Sequence, residues 1–153
     1  MLGRDDDLLP MAPGAASLIV HASTVAVAGR AVLIRGASGS GKSAMALQLL
    51  ALGAGLIADD RTVVTRAAGQ VIADAPPILH GLIEARGVGI LNCPAVGPAP
   101  LALIVDMDRP EHERLPGWHQ ETVLDVTLPV LGNPDAPHFP SAILLYLQNG
   151  RHG

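Results

Sequence analysis

The sequence predicts an α/β protein in which a mixed sheet is flanked by helices, and three observations support this. Apolar residues make up 49% of the 153 residues and aromatic ones 2%, so the core must consist of small aliphatic side chains, which suits strands covered by helices. The run "AVLIR" at 31–35 has the pattern of a buried strand and leads into a Gly/Ser-rich loop. The stretches 17–35 and 56–75 contain strand-like runs without a helix between them, which predicts antiparallel pairs as well.

Composition and charge predict one domain over residues 17–153, preceded by a flexible arm over residues 1–16. The net charge of −4 gives no broad basic surface, so nucleic acid is not an expected partner. No apolar run reaches about 18 residues, so no membrane span is expected. The single cysteine, Cys93, excludes an internal disulfide, and the acidic N-terminus lacks the basic end of a signal peptide. We expect a cytoplasmic protein.

The first half of the domain is predicted to consist of short strands around one helix. Residues 17–35 hold two or three strands, separated at 21–23 and at 28–30, where Ala-Gly indicates a hairpin turn. Small and apolar residues at helical spacing predict a helix over 43–52, ended by glycines. The runs at 56–60 and 62–76 predict further strands, and the second is hinged at its Ala-Gly pair.

The second half is predicted to contain three more apolar segments and a terminal helix. "LIEARGVGIL" at 82–91 and "LALIVDM" at 101–107 are two of these segments. The charged, proline-punctuated stretch 109–118 is predicted to be a loop. "TVLDVTLPVL" at 122–131 has the pattern of a late strand, and "PSAILLYLQNG" at 140–150 that of a short helix.

The loop "GASGSGKS" at 36–43 matches G-x-x-x-x-G-K-[ST] at every fixed position. Its glycines allow main-chain N–H groups to converge on a phosphate, and the following helix adds its positive dipole end. The lysine would hold the β- and γ-phosphates, and the last hydroxyl is placed to ligate Mg²⁺. We predict that this loop binds a nucleotide phosphate chain; the alternative is a connector that matches by chance. The candidate nucleotide-binding residues are Gly36, Ala37, Ser38, Gly39, Ser40, Gly41, Lys42 and Ser43.

A nucleotide site also needs an acidic group for the metal and the attacking group, and the sequence offers two candidates. Asp59 and Asp60 close the run "LIADD", and Asp106 closes "LALIVD". Pattern alone favours Asp106, but any buried strand can end in a solvated aspartate. Adjacent carboxylates at 59–60 need a cation or hydrogen-bond donors nearby, and on a strand they point to opposite faces.

Four separated pieces together resemble the catalytic domain of HPr kinase/phosphorylase: His21, the loop at 36–43, "LIADDR" at 56–61 and "LIEARGVGIL" at 82–91. This bacterial P-loop enzyme phosphorylates a serine of the phosphocarrier protein HPr and can remove the phosphate with inorganic phosphate. The segment "IEARGVGILN" is similar to the signature of the family, and the resemblance runs from about 17 to 107. It implies a P-loop-containing kinase core with ATP and Mg²⁺ as cofactors.

The resemblance implies four catalytic residues. Asp60 matches the catalytic aspartate, which accepts the serine proton in the kinase direction and returns one in the reverse direction. Lys42 would grip the phosphates, and Arg86 lies in the segment that both directions need. His21 matches a histidine near the reacting phosphate; from the residues alone it is a turn residue between apolar runs, with His80 as a competing candidate.

The resemblance also implies the metal ligands and a supporting acid. Ser43 and Glu84 match the metal ligands, and Asp59 matches the acid beside the catalytic one. Glu84 and Arg86 are two residues apart, so on an extended segment they share a face. Without the resemblance, a surface ion pair worth about 0–1 kcal/mol is the simpler interpretation of those two residues.

The sequence departs from the family in four places. Position 44 is alanine where glutamate is usual, and the segment at 127–140 contains no arginine where the family carries a further catalytic one. Arg109, Arg114 and His138 are candidate substitutes. Fewer than 20 residues precede the first strand, and the C-terminal helices are short, so we expect a reduced catalytic domain.

We therefore expect an ATP- and Mg²⁺-dependent serine protein kinase that acts on HPr or a related phosphocarrier, with weak or absent phosphorolysis. One alternative is an ATP-binding regulatory domain without transfer activity, and another is a small-molecule kinase or plain NTPase. The family forms hexamers, so self-association is expected by analogy.

Overall fold

The computed structural model describes Leu9–Pro10 and residues 16–153. The arm predicted over residues 1–16 falls almost entirely outside the described residues and stays a prediction. Its one described pair, Leu9–Pro10, lies antiparallel to Leu18 and Ile19.

Eleven strands and two α-helices are found in the described part of the chain, together with a 3₁₀ turn at Pro77–Leu79. The helices are α1 (Lys42–Ala51) and α2 (Phe139–Asn149). The strands are β1 (Leu9–Pro10), β2 (Ser17–Val27), β3 (Arg30–Arg35), β4 (Gly55–Ala58), β5 (Arg61–Ala67), β6 (Gln70–Asp74), β7 (Leu82–Ala85), β8 (Gly89–Asn92), β9 (Ala99–Pro110), β10 (Gln120–Val123) and β11 (Val126–Asn133).

Among these strands, nine form one mixed sheet, and β7 and β8 form a separate hairpin. Strand β3 runs parallel to β9, and β9 runs parallel to β11. Strand β2 is antiparallel to both β3 and β4, so β4 runs in the same direction as β3. The ends of β3, β4 and β9 that carry the phosphate loop and the candidate acids therefore point the same way. The α/β fold class with a mixed sheet and flanking helices is confirmed.

Part of the sheet closes on itself, because β2 pairs with β5, β5 with β6, β6 with β9, β9 with β3, and β3 with β2. One core cluster joins side chains from all of these strands. Such a small ring leaves little interior volume, which small side chains fill. This explains how a chain so poor in aromatic residues has a packed core. Alanines in this cluster include Ala22, Ala26, Ala31, Ala73 and Ala99.

The second core cluster lies where the helices cover the other face of the sheet. Alternation along β3 shows the division, since Leu33 belongs to the first cluster while Val32 and Ile34 belong to the second. Buried residues of both helices, such as Leu49 of α1 and Ile143 of α2, pack there. Within the described residues, no helix combines the length and apolarity needed to cross a bilayer.

Several predicted boundaries differ from the observed ones. The break at 21–23 is wrong, because β2 continues through it for 11 residues with Ala22 and Ser23 buried. The segment at 122–131, predicted as one strand, is a hairpin, and the apolar segment at 82–91 is a hairpin as well. The turn at 28–30, the loop before the late strand and the two helices are confirmed to within a few residues.

Candidate functional site

The Gly-rich loop lies between the end of β3 and the start of α1, as a phosphate-binding loop requires. All three of its glycines have backbone angles that side chains disfavour: φ is 154° at Gly36, 83° at Gly39 and 99° at Gly41. A Cβ at Gly36 would also lie 2.5 Å from the Ser40 hydroxyl oxygen. Glycine is therefore required here by both backbone conformation and close approach.

Lys42 lies along this loop, with its ammonium donating to the main-chain oxygens of Gly36, at 2.6 Å, and Ala37, at 3.2 Å. The side chain thereby places its charge against the main chain at the start of the loop. A bound phosphate oxygen would compete with these carbonyl oxygens for the same three donors.

The two acidic candidates occupy different places. Asp106 ends its apolar run beside β3, where it accepts a hydrogen bond from Arg35 at 3.4 Å and another from the Asp108 main-chain N–H. Asp108 in turn accepts from the main-chain N–H of Ala37 at 2.8 Å. This side of the sheet therefore anchors the start of the loop. Burial lowers the pKa of Arg35, but hydrogen bonding and charge from Glu121 and Asp106 outweigh it, so the pKa lies above its ordinary value.

Asp59, in contrast, is bonded directly to the phosphate loop. Its Oδ1 accepts hydrogen bonds from the hydroxyl of Ser43 at 2.8 Å and from that of Ser23 at 2.7 Å. Its Oδ2 accepts from the main-chain N–H of Glu84 at 3.0 Å. The carboxylate is nearly buried, and these donors compensate for its removal from water. Asp59 is therefore the acid that contacts Ser43 of the phosphate loop, whereas Asp106 contacts Arg35 and Asp108. The sequence pattern alone could not make this distinction.

Ser23 was not identified from the sequence. It is completely buried on β2, and its hydroxyl lies 3.4 Å from the main-chain N–H of Asp60 while donating to Asp59. A serine inside a strand carries no sequence signal of its own. Only the sheet register, which places β2 beside the turn after β4, shows its connection to the acidic pair.

Asp60 has a left-handed backbone conformation, with φ of 67°, and its side chain is exposed. Its main-chain oxygen accepts from the N–H of Ala22 at 3.0 Å, which holds the turn against β2. The expected strand ends at Ala58, so both aspartates lie in the turn after β4 rather than on the strand. Asp59 is buried and Asp60 exposed because of this turn, not because of strand alternation.

A cleft of about 620 Å³ brings several predicted residues together. The phosphate loop forms one side, Asp60 contributes from the turn after β4, and the β7–β8 hairpin forms the other side. This volume lies within the range of small-molecule sites. The lining residues are Ser38, Gly39, Gly41, Lys42, Ser43, Ala44, Leu47, Asp60, Glu84, Ala85, Arg86 and Val88.

The hairpin presents its polar side chains to this cleft by alternation. Ile83 and Ala85 are buried, whereas Glu84 and Arg86 are exposed and line the cleft. Glu84 also has its main-chain N–H bonded to Asp59. Glu84, on β7, and Arg86, in the turn after it, thus border the same cleft.

The candidate histidines lie outside this lining within the described residues. His21 is exposed in the middle of β2 and opposite Arg61. It is adjacent to Ala22, which bonds Asp60, so His21 lies near the turn without bordering the cleft. His80 is exposed after the 3₁₀ turn.

The candidate substitutes for the missing arginine also lie outside the lining among the described residues. Arg109 lies near the end of β9, and its side chain approaches Gly132 of β11. Its Nε and Nη2 atoms are buried without a hydrogen-bond partner in the part of the chain that the structure describes. Arg114 and His138 are exposed. None of the three faces Asp60 across the cleft.

The oxygen groups near the loop fit a magnesium–nucleotide complex. The Ser43 hydroxyl and Asp59 carboxylate are in contact, and Glu84 lines the same cleft. Mg²⁺ prefers oxygen ligands and usually takes one or two carboxylates along with phosphates and water. No cluster of three or more His, Cys, Asp or Glu side chains forms a metal cage within the described residues.

The sheet, the loop after β3 and the helix that follows define a P-loop kinase fold. A solved structure described as the Hpr(Ser) kinase/phosphatase from Coxiella burnetii has the same fold, with a TM-score of 0.74 and 25% identity. The match covers 86% of this chain and 94% of that one.

The family model for the HPr Serine kinase C-terminal domain matches residues 14–97, so the chain belongs to this family. It is 37% identical over 127 residues to the HPr kinase/phosphorylase of Bordetella petrii, a match that covers 75% of this chain and 39% of the relative. It is 35% identical over 143 residues to that of Stenotrophomonas maltophilia, covering 83% and 45% respectively. The chain thus spans less than half the length of these relatives.

Proposed function

We propose that this protein is an ATP- and Mg²⁺-dependent kinase that phosphorylates a serine of HPr or a related phosphocarrier protein. The observation that carries the proposal is the single cleft lined by the phosphate loop, Asp60, Glu84 and Arg86. Family membership supports the same activity. Phosphoryl transfer requires mainly positioning and charge neutralisation, and these groups supply both.

The nucleotide would be held by the main-chain N–H groups of residues 36–43, with Lys42 on the β- and γ-phosphates. Ser43 and Glu84 would ligate Mg²⁺, and Asp59 would orient Ser43 through the hydrogen bond between them. When bound, the ion supplies neutralising charge for the phosphate oxygens. Arg86 adds a second positive charge on the opposite side of the cleft.

Asp60 is proposed as the general base. Its exposed carboxylate faces the cleft, where it can accept the proton of the carrier serine as the serine oxygen attacks the γ-phosphorus and ADP leaves. In the reverse direction the protonated carboxyl would return a proton to the serine oxygen. His21 lies on β2 beside the turn that carries Asp60. We propose that it acts near the reacting phosphate once a carrier protein is bound.

The kinase direction is tested by transfer of radiolabelled phosphate from ATP to purified carrier proteins, with Mg²⁺. Wild-type protein should label a serine of the carrier. Lys42→Ala should weaken nucleotide binding, whereas Asp60→Ala should bind ATP normally and transfer at least about 100-fold more slowly, because a positioned base contributes about 10²–10⁴. Unchanged transfer by the Asp60 variant would show that the base is misassigned.

The reverse reaction is proposed to be weak or absent, because no arginine occurs at 127–140 and no candidate substitute lines the cleft. Loss of one electrostatic donor costs about 3–4 kcal/mol of transition-state stabilisation. Serine-phosphorylated carrier incubated with inorganic phosphate should release little pyrophosphate. Rapid release would contradict this proposal.

The missing arginine also favours a second candidate, a domain that binds ATP and regulates a partner without transfer. The same labelling assay separates the two functions, since a regulator would bind ATP and label no carrier. We further propose a cytoplasmic location and self-association, up to the hexamer of the family, and no nucleic-acid partner. Sedimentation of the protein would test the oligomeric state.

A further inference from the structure

The end of β9 lies next to the start of the phosphate loop. Asp108, near the end of this strand, accepts a hydrogen bond at its Oδ2 from the main-chain N–H of Ala37, at 2.8 Å. Ala37 is the second residue of the loop. Among the described residues, those that line the cleft of about 620 Å³ do not include Asp108. Its carboxylate therefore contacts the loop without bordering the cleft that holds the proposed reacting groups.

The bond to Asp108 and a bond from Lys42 involve opposite sides of one peptide unit. In a trans peptide, the N–H and C=O groups point in opposite directions. The N–H of the unit that joins Gly36 and Ala37 donates to Asp108, and the carbonyl oxygen of the same unit accepts from the Lys42 ammonium at 2.6 Å. Asp108 on one side and Lys42 on the other therefore fix the orientation of this peptide unit.

The backbone freedom of Gly36 makes this orientation dependent on its two partners. Gly36 has a φ of 154°, and glycine changes its backbone conformation at little cost. A rotation of the peptide unit would turn its carbonyl oxygen away from Lys42. A charged acceptor such as Asp108 forms a stronger hydrogen bond than a neutral one, and it polarises the peptide unit, so the carbonyl oxygen becomes a better acceptor for Lys42.

The position of Asp108 is itself fixed by polar contacts that cross three strands. Its main-chain N–H donates to Asp106 Oδ1 at 3.0 Å. Asp106 Oδ2 accepts from Arg35 at the end of β3, at 3.4 Å, and Arg35 donates twice more to Glu121 of β10, at 2.6 and 2.8 Å. The Asp108 carboxylate is exposed, but these contacts hold the main chain that carries it.

We infer that Asp108 is a positioning residue of the proposed kinase, because it orients the peptide unit after Gly36 and thereby the Lys42 ammonium. This inference rests on the proposed nucleotide function of the loop. An ammonium has three donors, so Lys42 can keep its bond to Gly36 and give the others to phosphate oxygens. Asp108 acts through Lys42 and is not itself a ligand of the phosphates.

The sign of the effect distinguishes this role from that of a nearby charge. Asp108 is negative and lies beside an anion-binding loop, so by charge alone its removal would strengthen phosphate binding. Positioning predicts weaker binding for Asp108→Ala, because the variant also removes the acceptor of the Ala37 N–H. Asp108→Asn removes the charge but keeps an amide oxygen that can accept this bond, so it should preserve the orientation.

The test measures the binding of ATP and of inorganic tripolyphosphate, both with Mg²⁺, by titration calorimetry. Asp108→Ala should weaken the binding of both ligands about tenfold. Asp108→Asn should bind both as tightly as wild type or more tightly. Urea unfolding checks that every variant is folded.

Glu111→Ala is the matched control. Glu111 Oε2 accepts a hydrogen bond from the main-chain N–H of Glu113 at 3.2 Å, in the segment after β9. The variant therefore removes a negative charge and the same kind of bond without a contact to the phosphate loop. It should change neither affinity.

Binding by Asp108→Ala that equals or exceeds that of wild type would overturn the inference, because the carboxylate would then act by charge or not at all. An equal loss in Asp108→Asn or in Glu111→Ala would also overturn it, since the acceptor oxygen would not be the cause. A wild-type protein that binds ATP but labels no carrier would contradict the kinase function and leave the Asp108 comparison unaffected. A wild-type protein that binds neither ligand would contradict the nucleotide function of the loop and the inference with it.

Discussion

The Asp59 carboxylate joins three elements of the candidate site. Ser23 connects it to β2, Ser43 to the first turn of α1, and the Glu84 main chain to the β7–β8 hairpin. A charged acceptor that is nearly buried is stabilised only when donors surround it. The positions of the phosphate loop, Asp60 and the hairpin therefore depend on one another.

Replacement of Ser23 by alanine should weaken the metal site without touching the nucleotide. Loss of one donor to the carboxylate should lower the free energy of unfolding by about 1–3 kcal/mol. The Mg²⁺ concentration for half-maximal transfer should rise about tenfold, as is typical when a group orienting the ligands is removed. Metal titration of transfer activity and urea unfolding measure the two effects.

Ser17→Ala is the matched control, because Ser17 is a buried serine of the same strand whose hydroxyl bonds Thr65 rather than Asp59. It should reduce stability and leave the Mg²⁺ dependence unchanged. Equal Mg²⁺ shifts in the two variants would mean that Ser23 acts only through the stability of β2.

The position of the Gly-rich loop between a strand and a helix could be predicted from the sequence, because its spacing is set by the physics of phosphate binding. The residue pattern alone did not decide between the pair Asp59–Asp60 and Asp106, since each follows an apolar strand; only the family resemblance pointed to the pair. Contact with Ser43 distinguishes Asp59, and that contact joins residues 16 positions apart. Long-range contacts of this kind have no local pattern, which is also why Ser23 was missed.

The β7–β8 hairpin carries exposed apolar residues beside the cleft. In the register of the hairpin, Ile90 lies opposite Glu84, so both side chains project from the same face. Ile90 is 71% exposed and Val88 is 75% exposed. A protein substrate whose serine reaches Asp60 must approach this face.

Ile90→Ser should therefore raise the KM for the carrier protein about tenfold, which corresponds to about 1.4 kcal/mol of binding. The kcat and the affinity for ATP should stay unchanged, because Ile90 lies outside the cleft lining. Steady-state kinetics with varied carrier concentration measure the split. Leu145→Ser, at an exposed apolar position of α2, is the control; an equal rise in KM there would contradict a role for the hairpin.

Strand β11 passes close to β9 at Gly132. A Cβ at this position would lie 2.7 Å from the main-chain oxygen of Arg109. Because a backbone atom cannot move aside cheaply, Gly132→Ala should lower the free energy of unfolding by about 1–3 kcal/mol. Thermal and urea unfolding measure this change.

Gly117→Ala provides the comparison, since a Cβ there meets nothing within 4 Å. Its effect should stay within about 0.5 kcal/mol of wild type. Equal stability of the two variants would show that β9 and β11 do not approach this closely in solution.

Turn chemistry explains which elements the sequence predicted. The hairpin turns at 28–29 and 68–69 contain Ala-Gly pairs with positive φ. Because glycine is typical of such turns, both could be predicted from the sequence. The turn between β10 and β11 uses Leu124 and Asp125, both with positive φ and neither a glycine, so that hairpin was read as one strand. The interruption expected at His21 failed because pairing with β3, β4 and β5 keeps β2 extended.

Across the described residues, a sheet whose central strands close into a ring is covered by two helices. Its alanine-filled interior and its second cluster beneath the helices account for the composition from which the fold class was predicted. The ring closure of the sheet was not predicted, since it depends on pairing between β6 and β9, which are far apart in the chain. This closure holds β2, β3 and β4 in register at the site.

The most direct measurement is a crystal structure of the protein with Mg²⁺ and a non-hydrolysable ATP analogue. The triphosphate should lie on the main-chain N–H groups of residues 36–43. An Asp60 carboxylate oxygen should lie within about 6 Å of the γ-phosphorus, leaving room for one attacking hydroxyl between them. An analogue bound away from this loop, or an Asp60 side chain directed out of the cleft, would contradict the proposed kinase site.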